Sequence, residues 1–293
     1  KGKSIPRKKC LLKKVYSHIP LDMKVLLLPT VTLFATFFNA LLGVSGLNFT
    51  CSNFQISKCT FFAATLVTDE YISHAVMLQK RIKQLTSDLC QLEIVYAGNK
   101  TELYKNRLHT SKSEIQYDNK FAGIDVKNVA IQGILDCMPE HSVLLWIDAT
   151  ILVMNFDSKN VLNIIGSNHI LFAREGRKSI NIGVMIIRNQ RASRIFFERV
   201  TKYIQRGYWD QGVVSCMLSS KTRHNCSRIK ISPTIRWSFL PAPFAEVFRV
   251  RNSGICPESR FFSQEAPSFI KLIGPNQAKR VMCMQRVCKE QNV

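Results

Sequence analysis

The stretch Val143-Leu144-Leu145-Trp146-Ile147-Asp148-Ala149-Thr150-Ile151 decides how this chain is read. Five apolar residues in a row predict a buried strand, and the run stops on a carboxylate. A charge at the end of a buried strand is costly unless it is used or paired. In an open α/β sheet the carboxyl ends of the strands border the crevice where ligands such as nucleotides bind. Asp148 therefore reads as a functional acid, although it could merely cap the turn. Two segments follow it in order, Asn181-Ile182-Gly183-Val184-Met185-Ile186-Ile187-Arg188-Asn189 and Asp210-Gln211-Gly212. They supply a turn and an amide to set beside the acid. Asn181 and Gly183 also suit an ordinary turn, and Asp210 suits the N-cap of the helix after it.

Working outward, Phe61–Thr68 reads as a buried strand. Asp69–Leu85 carries an apolar stripe at Ile72, Ala75, Val76, Ile82 and Leu85, with Asp69 as its N-cap. Leu92–Ala97 is a second strand. After a polar, lysine-rich loop, a helix over about Val126–Met138 ends at Pro139 and leads into the Val143–Ile147 strand. Further strands are expected at His169–Ala173, Ile182–Ile187 and Phe269–Ile273, and helices at Asn160–Ile165, Gln190–Arg206 and Gln211–Ser219. Alternating strands and helices predict parallel pairing. Residues 61–293 are one domain's worth of chain, enough to bury a core.

The N-terminal part bears on compartment. Residues 1–24 hold eight Lys and Arg against the single acid Asp22, and Val25–Phe49 has no charged residue. A charge-free run of that length can span a bilayer as a helix. With the basic flank held in the cytoplasm, residues 1–24 read as a tail, 25–49 as a signal-anchor, 50–60 as a stem and the rest as a lumenal domain. The competing reading takes Met23 as a start, 25–42 as the apolar core of a signal peptide and Val44-Ser45-Gly46 as its cleavage site, which makes the protein secreted. Both send the domain into the secretory pathway. Asn48, Asn99 and Asn225 head glycosylation triplets. Ten cysteines with no C-x-x-C pair favour disulfides over zinc. Cys51 with Cys59, Cys216 with Cys226 and Cys283 with Cys288 are the local pairings to test.

The formal charge of +21 invites a nucleic-acid reading. With the tail set aside, 33 bases face 19 acids, still +14. A surface so basic favours anions such as nucleotide diphosphates, acidic lipids or acidic glycans. No zinc-finger spacing, aromatic RNA-binding signature or continuous basic helix accompanies it, which argues against a nucleic-acid partner.

The order Lys127, Pro139, Leu145-Trp146-Ile147-Asp148-Ala149, Asn181-x-Gly183-Val184-x-Ile186-x-Arg188-Asn189, Arg194-x-Phe196 and Asp210-Gln211 resembles the Golgi galactosyl-, mannosyl- and xylosyltransferase family of fungi and plants. Thr65-Leu66-Val67-Thr68-Asp69-Glu70-Tyr71 resembles the start of glycogenin-like transferases. The resemblance spans about residues 62–280 and implies a GT-A glycosyltransferase, a mixed, mainly parallel sheet flanked by helices. It implies a membrane-anchored enzyme of the Golgi or endoplasmic reticulum that takes a hexose or pentose from a nucleotide sugar to a glycan or glycoprotein hydroxyl, with retention of anomeric configuration.

By that resemblance Asp210, Gln211 and Asn181 are the catalytic candidates. Thr68, Asp69, Tyr71, Lys127, Asp148, Ala149, Thr150, Gly183, Lys271 and Gly274 are the substrate-binding ones. Lys127 is the weakest of these on its own, because a lysine at a helix start is most often solvated. The family holds Mn²⁺ with Asp-x-Asp and a late His-Phe-x-Gly, since carboxylate and imidazole suit that ion and it bridges the phosphates. Here the pattern is broken twice: Thr150 stands where the second Asp belongs, and the late segment reads Lys271-Leu272-Ile273-Gly274. A protonated lysine cannot bind a metal. Three readings follow. Lys271 replaces the cation, which is favoured and makes the enzyme metal-independent; or a metal binds through Asp148 alone; or catalysis is lost and a sugar- or nucleotide-binding protein remains.

Overall fold

The computed structural model describes residues 60–85, 90–96, 123–154, 158–175, 179–218, 226, 228–230, 232, 234–241, 244–249, 268–273 and 282–286. The expected tail and anchor and the stem up to Cys59 lie outside them, as do Gly274, Cys51, Cys288 and the glycosylation asparagines Asn48, Asn99 and Asn225. Among the described residues no helix is long and apolar enough to cross a membrane.

In chain order the elements are β1 (Phe61–Val67), a 3-10 turn (Asp69–Tyr71), α1 (Ile72–Leu85), β2 (Cys90–Tyr96), α2 (Gly123–Cys137), β3 (Val143–Ile147), β4 (Ile151–Val153), α3 (Ser158–Ile165), β5 (Ile170–Glu175), β6 (Ser179–Arg188), α4 (Arg191–Ile204), α5 (Asp210–Leu218), β7 (Trp237–Phe239), β8 (Ala245–Arg249) and β9 (Phe269–Ile273). The strand predictions at 61, 143 and 269 hold nearly to the residue. Asp69 is not an N-cap. Thr68 takes that place with extended backbone, and Asp69 opens the short 3-10 turn ahead of α1. Helix α3 stops where Gly166 adopts φ +48, a left-handed conformation that glycine takes without a Cβ penalty.

The larger sheet has the order β2-β1-β3-β6-β5-β7, and β4-β9-β8 forms a second, three-stranded sheet. Three of the five neighbouring pairs in the larger sheet are parallel: β1 with β2, β1 with β3, and β5 with β7. Strand β6 runs antiparallel to both β3 and β5. The order has a direct consequence. From β1 the chain steps outward to β2, then crosses back to lay β3 on the other side of β1. That reversal is a topological switch point, and the crevice beyond the carboxyl ends of β1 and β3 is where such sheets take ligands.

Both faces of the sheet are covered, which is why its strands read as unbroken apolar runs. Phe61, Ala63 and Val67 on β1, Leu145 and Ile147 on β3, and Val184 and Ile186 on β6 form one core with Ile72, Ala75, Leu78 and Ile82 of α1. Residues of opposite parity along the same strands, Phe62, Ala64, Leu144, Trp146, Met185 and Ile187, are equally buried. Helices α2 and α4 pack on one another, and α5 packs on α4 and β6. The second sheet joins the first core through Ile151, Val153, Ala245 and Phe269. Cys216 and Cys226 are bridged, as the local pairing predicts. Cys137 and Cys283 each take part in a disulfide as well.

Phe196 on α4 is fully buried, whereas Arg199 on the same helix is exposed. Phe196→Ala is expected to lose about 3–5 kcal/mol by leaving a cavity, and Arg199→Ala to stay within about 0.5 kcal/mol of the parent. Urea denaturation measures both. Equal effects from the two substitutions would mean that α4 presents a different face to the core.

Candidate functional site

Strand β3 delivers Asp148 to the crevice, and the backbone then fixes it. Its N–H donates to the Gly183 carbonyl at 2.7 Å, and its own carbonyl accepts from Ile151 N–H at 3.0 Å. Asp148-Ala149-Thr150 is thus the tight link from the large sheet into β4. Ala149 is buried and Thr150 is half-buried beside it.

Both oxygens of the Asp148 carboxylate are taken. Oδ1 accepts from Lys127 Nζ at 2.7 Å and from Trp146 Nε1 at 3.1 Å, while Oδ2 accepts from Lys271 Nζ at 2.9 Å. Lys127 is buried, contrary to the expectation of a solvated lysine at a helix start. Its ammonium also donates to the Ile182 carbonyl at 2.7 Å and lies 5.9 Å from the centre of the Trp146 ring. The side chains of Lys127, Lys271 and Asp148 are 11%, 18% and 22% exposed, so water screens them only in part.

Burial pushes the Asp148 carboxyl up, but the charges and hydrogen bonds of Lys127 and then Lys271 outweigh it and hold the group well below the ordinary carboxylate range. Burial pulls Lys127 down, against the pull of Asp148 in the other direction. Asp210 is raised, first by burial and then by Asp148, with Lys127 acting against the rise. The Asp210 carboxylate Oδ1 accepts from its neighbour's backbone, Gln211 N–H, at 2.6 Å. Asp210 is the first residue of α5 rather than the N-cap ahead of it, so the helix begins one residue earlier than the N-cap reading has it.

A second polar cluster lies across Gly183. Asn181 is buried, accepts from Gly183 N–H through Oδ1 at 2.8 Å, and donates through Nδ2 to Glu175 at 2.8 Å. Gln211 Nε2 donates to the same Glu175 oxygen at 3.3 Å. Glu175 escapes the sequence reading, because the predicted strand stops at Ala173. The signal was weaker than at Asp148: Glu175 closes β5 two residues past the apolar run, with Arg174 between. Trp209, one residue before Asp210, is also missed and is 58% exposed.

A Cβ placed on Gly183 would fall 2.5 Å from Lys271 Nζ and 2.8 Å from Asn181 Oδ1. Glycine there admits the lysine and sets the two clusters face to face. Thr68, Asp69 and Tyr71 occupy the carboxyl end of β1, on the other side of the switch point. The Tyr71 ring tilts against His74 at 5.3 Å. Of the candidates, Lys127, Asp148, Asn181, Gly183, Gln211 and Lys271 are joined by direct contacts. Asp210 joins them through the Gln211 N–H and through charge, and Thr68, Asp69 and Tyr71 only border the same edge.

Among the described residues, the side chains gathered around Asp148 do not form a set that fits a divalent cation. Asp148 offers no oxygen free of an ammonium or indole donor, Thr150 is a neutral hydroxyl, and among the described residues no three His, Cys, Asp or Glu side chains gather as a metal set.

No protein-family profile matches the chain, and no curated protein matches it. Solved structures do. The galactosyltransferase LgtC, in complex with donor and acceptor sugar analogues, matches with a TM-score of 0.50 at 10% identity over 78% of this chain and 94% of LgtC. An active-site glutamine-to-glutamate mutant of LgtC gives 0.50 and 10% over 79% and 95%. The glycosyltransferase GlyE of Streptococcus pneumoniae TIGR4 gives 0.49 and 14% over 80% of this chain and 64% of GlyE. At these identities the likeness is one of fold, and the fold is that of the GT-A glycosyltransferases.

Asp148→Asn strands two partly buried ammonium groups against each other and is expected to cost about 3–5 kcal/mol. Because the folded state keeps this carboxyl ionised where the unfolded chain would bind a proton, its stabilisation is complete above the ordinary aspartate value of about 3.9. It is lost as the pH falls through and below that value. Denaturation of parent and variant at about pH 7 and about pH 3 should show the gap narrowing in acid. A gap of constant size would mean that Asp148 is not held by the lysines.

Proposed function

We propose that the chain is a glycosyltransferase that takes a sugar from a nucleotide-sugar donor to a glycan or glycoprotein hydroxyl. The observation that carries this reading is the convergence of Asp148, Asn181, Gln211 and Glu175 at the carboxyl edge of a GT-A sheet, next to its switch point. The donor's nucleotide lies along Thr68, Asp69 and Tyr71, its diphosphate turns toward the Asp148 end of β3, and its sugar meets Asn181, Gln211 and Asp210. A glutamine is an active-site residue in LgtC, which supports giving Gln211 a place against the sugar.

Glu175 fixes the amides of Asn181 and Gln211 by accepting from both, and Gly183 N–H holds the Asn181 carbonyl oxygen, so their geometry is set before a sugar arrives. Positioning of this kind lowers a barrier without any chemistry by the residue itself. Transfer with retention, a hexose or pentose donor and a Golgi or endoplasmic-reticulum membrane setting follow from the resemblance to the fungal and plant Golgi enzymes. The charge-free run 25–49 supports the membrane setting, and cleavage near it would make the protein secreted.

One observation favours a second reading, a catalytically silent sugar- or nucleotide-binding protein of the same fold. Asp148 is wholly engaged by Lys127, Lys271 and Trp146, which leaves it no part in holding a metal. Incubation of the full chain with a panel of nucleotide sugars and glycan acceptors, followed by detection of released nucleoside diphosphate, decides between the two. The transferase reading predicts release with at least one donor and its loss in Gln211→Ala; binding of a donor without any turnover would favour the silent protein.

Trp209 offers a flat, exposed apolar face next to Asp210 and suits the ring of an acceptor sugar. Trp209→Ala is expected to raise the acceptor KM about tenfold while leaving the donor KM unchanged, as removal of binding made equally in ground and transition states does. An unchanged acceptor KM would remove Trp209 from the site.

A further inference from the structure

Lys271 is installed in this fold rather than draped over it. Strand β9 pairs antiparallel with β4, with Lys271 opposite Ile151, three residues beyond Asp148. On its other side β9 pairs in parallel with β8, Lys271 opposite Val247. The backbone that carries the lysine is therefore pinned to the strand leaving the acidic turn. Gly183 leaves the notch that its Nζ and Cδ fill, at 2.5 Å and 2.8 Å from where a Cβ would stand.

The two lysines are not equivalent. Lys127 spends two of its three N–H groups inward, on Asp148 Oδ1 and the Ile182 carbonyl, and is the more buried. Among the described residues the Lys271 side chain makes one hydrogen bond, to Asp148 Oδ2, which leaves two N–H groups of its ammonium for a ligand. Within the set of Lys127, Asp148 and Lys271, one carboxylate between two ammonium groups leaves a formal charge of +1, with the Asp210 carboxyl acting on it from α5. Lys127 neutralises Asp148 from within, so Asp148 can seat Lys271 without cancelling its charge.

We propose that this chain binds the diphosphate of its donor without a divalent cation, Lys271 meeting the phosphate oxygens while Asp148, Lys127 and Gly183 form its seat. The proposal rests on the nucleotide-sugar reading and gives that site its counter-charge. In a partly dehydrated crevice an ammonium attracts a diphosphate far more strongly than on an open surface. The same charge then meets the negative charge that builds on the leaving diphosphate as the sugar bond breaks. Asp148 becomes a holder of ammonium groups instead of a metal ligand.

The test is calorimetric titration of the full chain with uridine, guanosine, adenosine and cytidine diphosphates in turn, each in EDTA and again with Mn²⁺. At least one is expected to bind in EDTA, with affinity changed less than about twofold by Mn²⁺. Lys271→Ala should weaken that binding about ten- to hundredfold, as loss of hydrogen bonds to a charged partner does. Gly183→Ala, which keeps the lysine but closes its notch, should weaken it as well, and Lys202→Ala on the exposed face of α4 should not. Thermal melts establish that each variant is folded, and either Lys271→Ala or Gly183→Ala suffices for the comparison. Binding that needs Mn²⁺, or that survives in EDTA in a folded Lys271→Ala, overturns the proposal and leaves the donor reading standing. If no nucleoside diphosphate binds in either condition, the donor reading falls, and this proposal falls with it.

Discussion

Asp148 ties together segments from four parts of the chain, three of them through its carboxylate. Lys127 comes from α2, Trp146 from β3, and Lys271 from β9 in the second sheet, while the Gly183 carbonyl of β6 holds the Asp148 backbone. Removing one charge from this set leaves others uncompensated in a place where water reaches only in part. A group so constrained is expensive to bury and is kept only by complete pairing. The turn after β3, the glycine in β6 and the lysine in β9 therefore constrain one another. A substitution at any of the three changes the fit of the other two.

The position of that set follows from topology. β1 and β3 are parallel neighbours whose connections leave on opposite sides, and this opens the crevice at their carboxyl ends. Antiparallel β6 brings Gly183 and Asn181 back to the same edge, and the adjoining end of β5 brings Glu175. The two clusters meet across Gly183, one positively charged and the other built of amides around an acid. A nucleotide sugar asks for both, since its diphosphate is anionic and its sugar is a set of hydroxyls.

Much of the sheet is legible in the sequence because buried strands leave unbroken apolar runs, as at Phe61–Val67 and Val143–Ile147. Strands β4, β7 and β8 escaped. Two are three residues long, too short to carry a period, and β8 follows a proline-rich turn that masks its start. The site was half legible. Asp148 announced itself as a charge ending an apolar run, and Lys271 as a lysine where the resemblance wants a metal ligand. Lys127 was not legible as a buried cation, because nothing local to a helix start reveals that its side chain turns inward to a carboxylate 21 residues away. Glu175 was hidden by a strand end set two residues short.

Lysine charge stands at the position where the resemblance calls for a metal. A crystal grown with a bound nucleoside diphosphate in the presence of Mn²⁺, with data collected for anomalous scattering at the manganese edge, addresses it directly. Phosphate oxygens are expected within hydrogen-bond reach of Lys271 Nζ, with the Lys127 to Asp148 pair intact and no anomalous peak between Asp148 and the diphosphate. A manganese peak bridging Asp148 and the phosphates, with Lys271 displaced from the carboxylate, would contradict it.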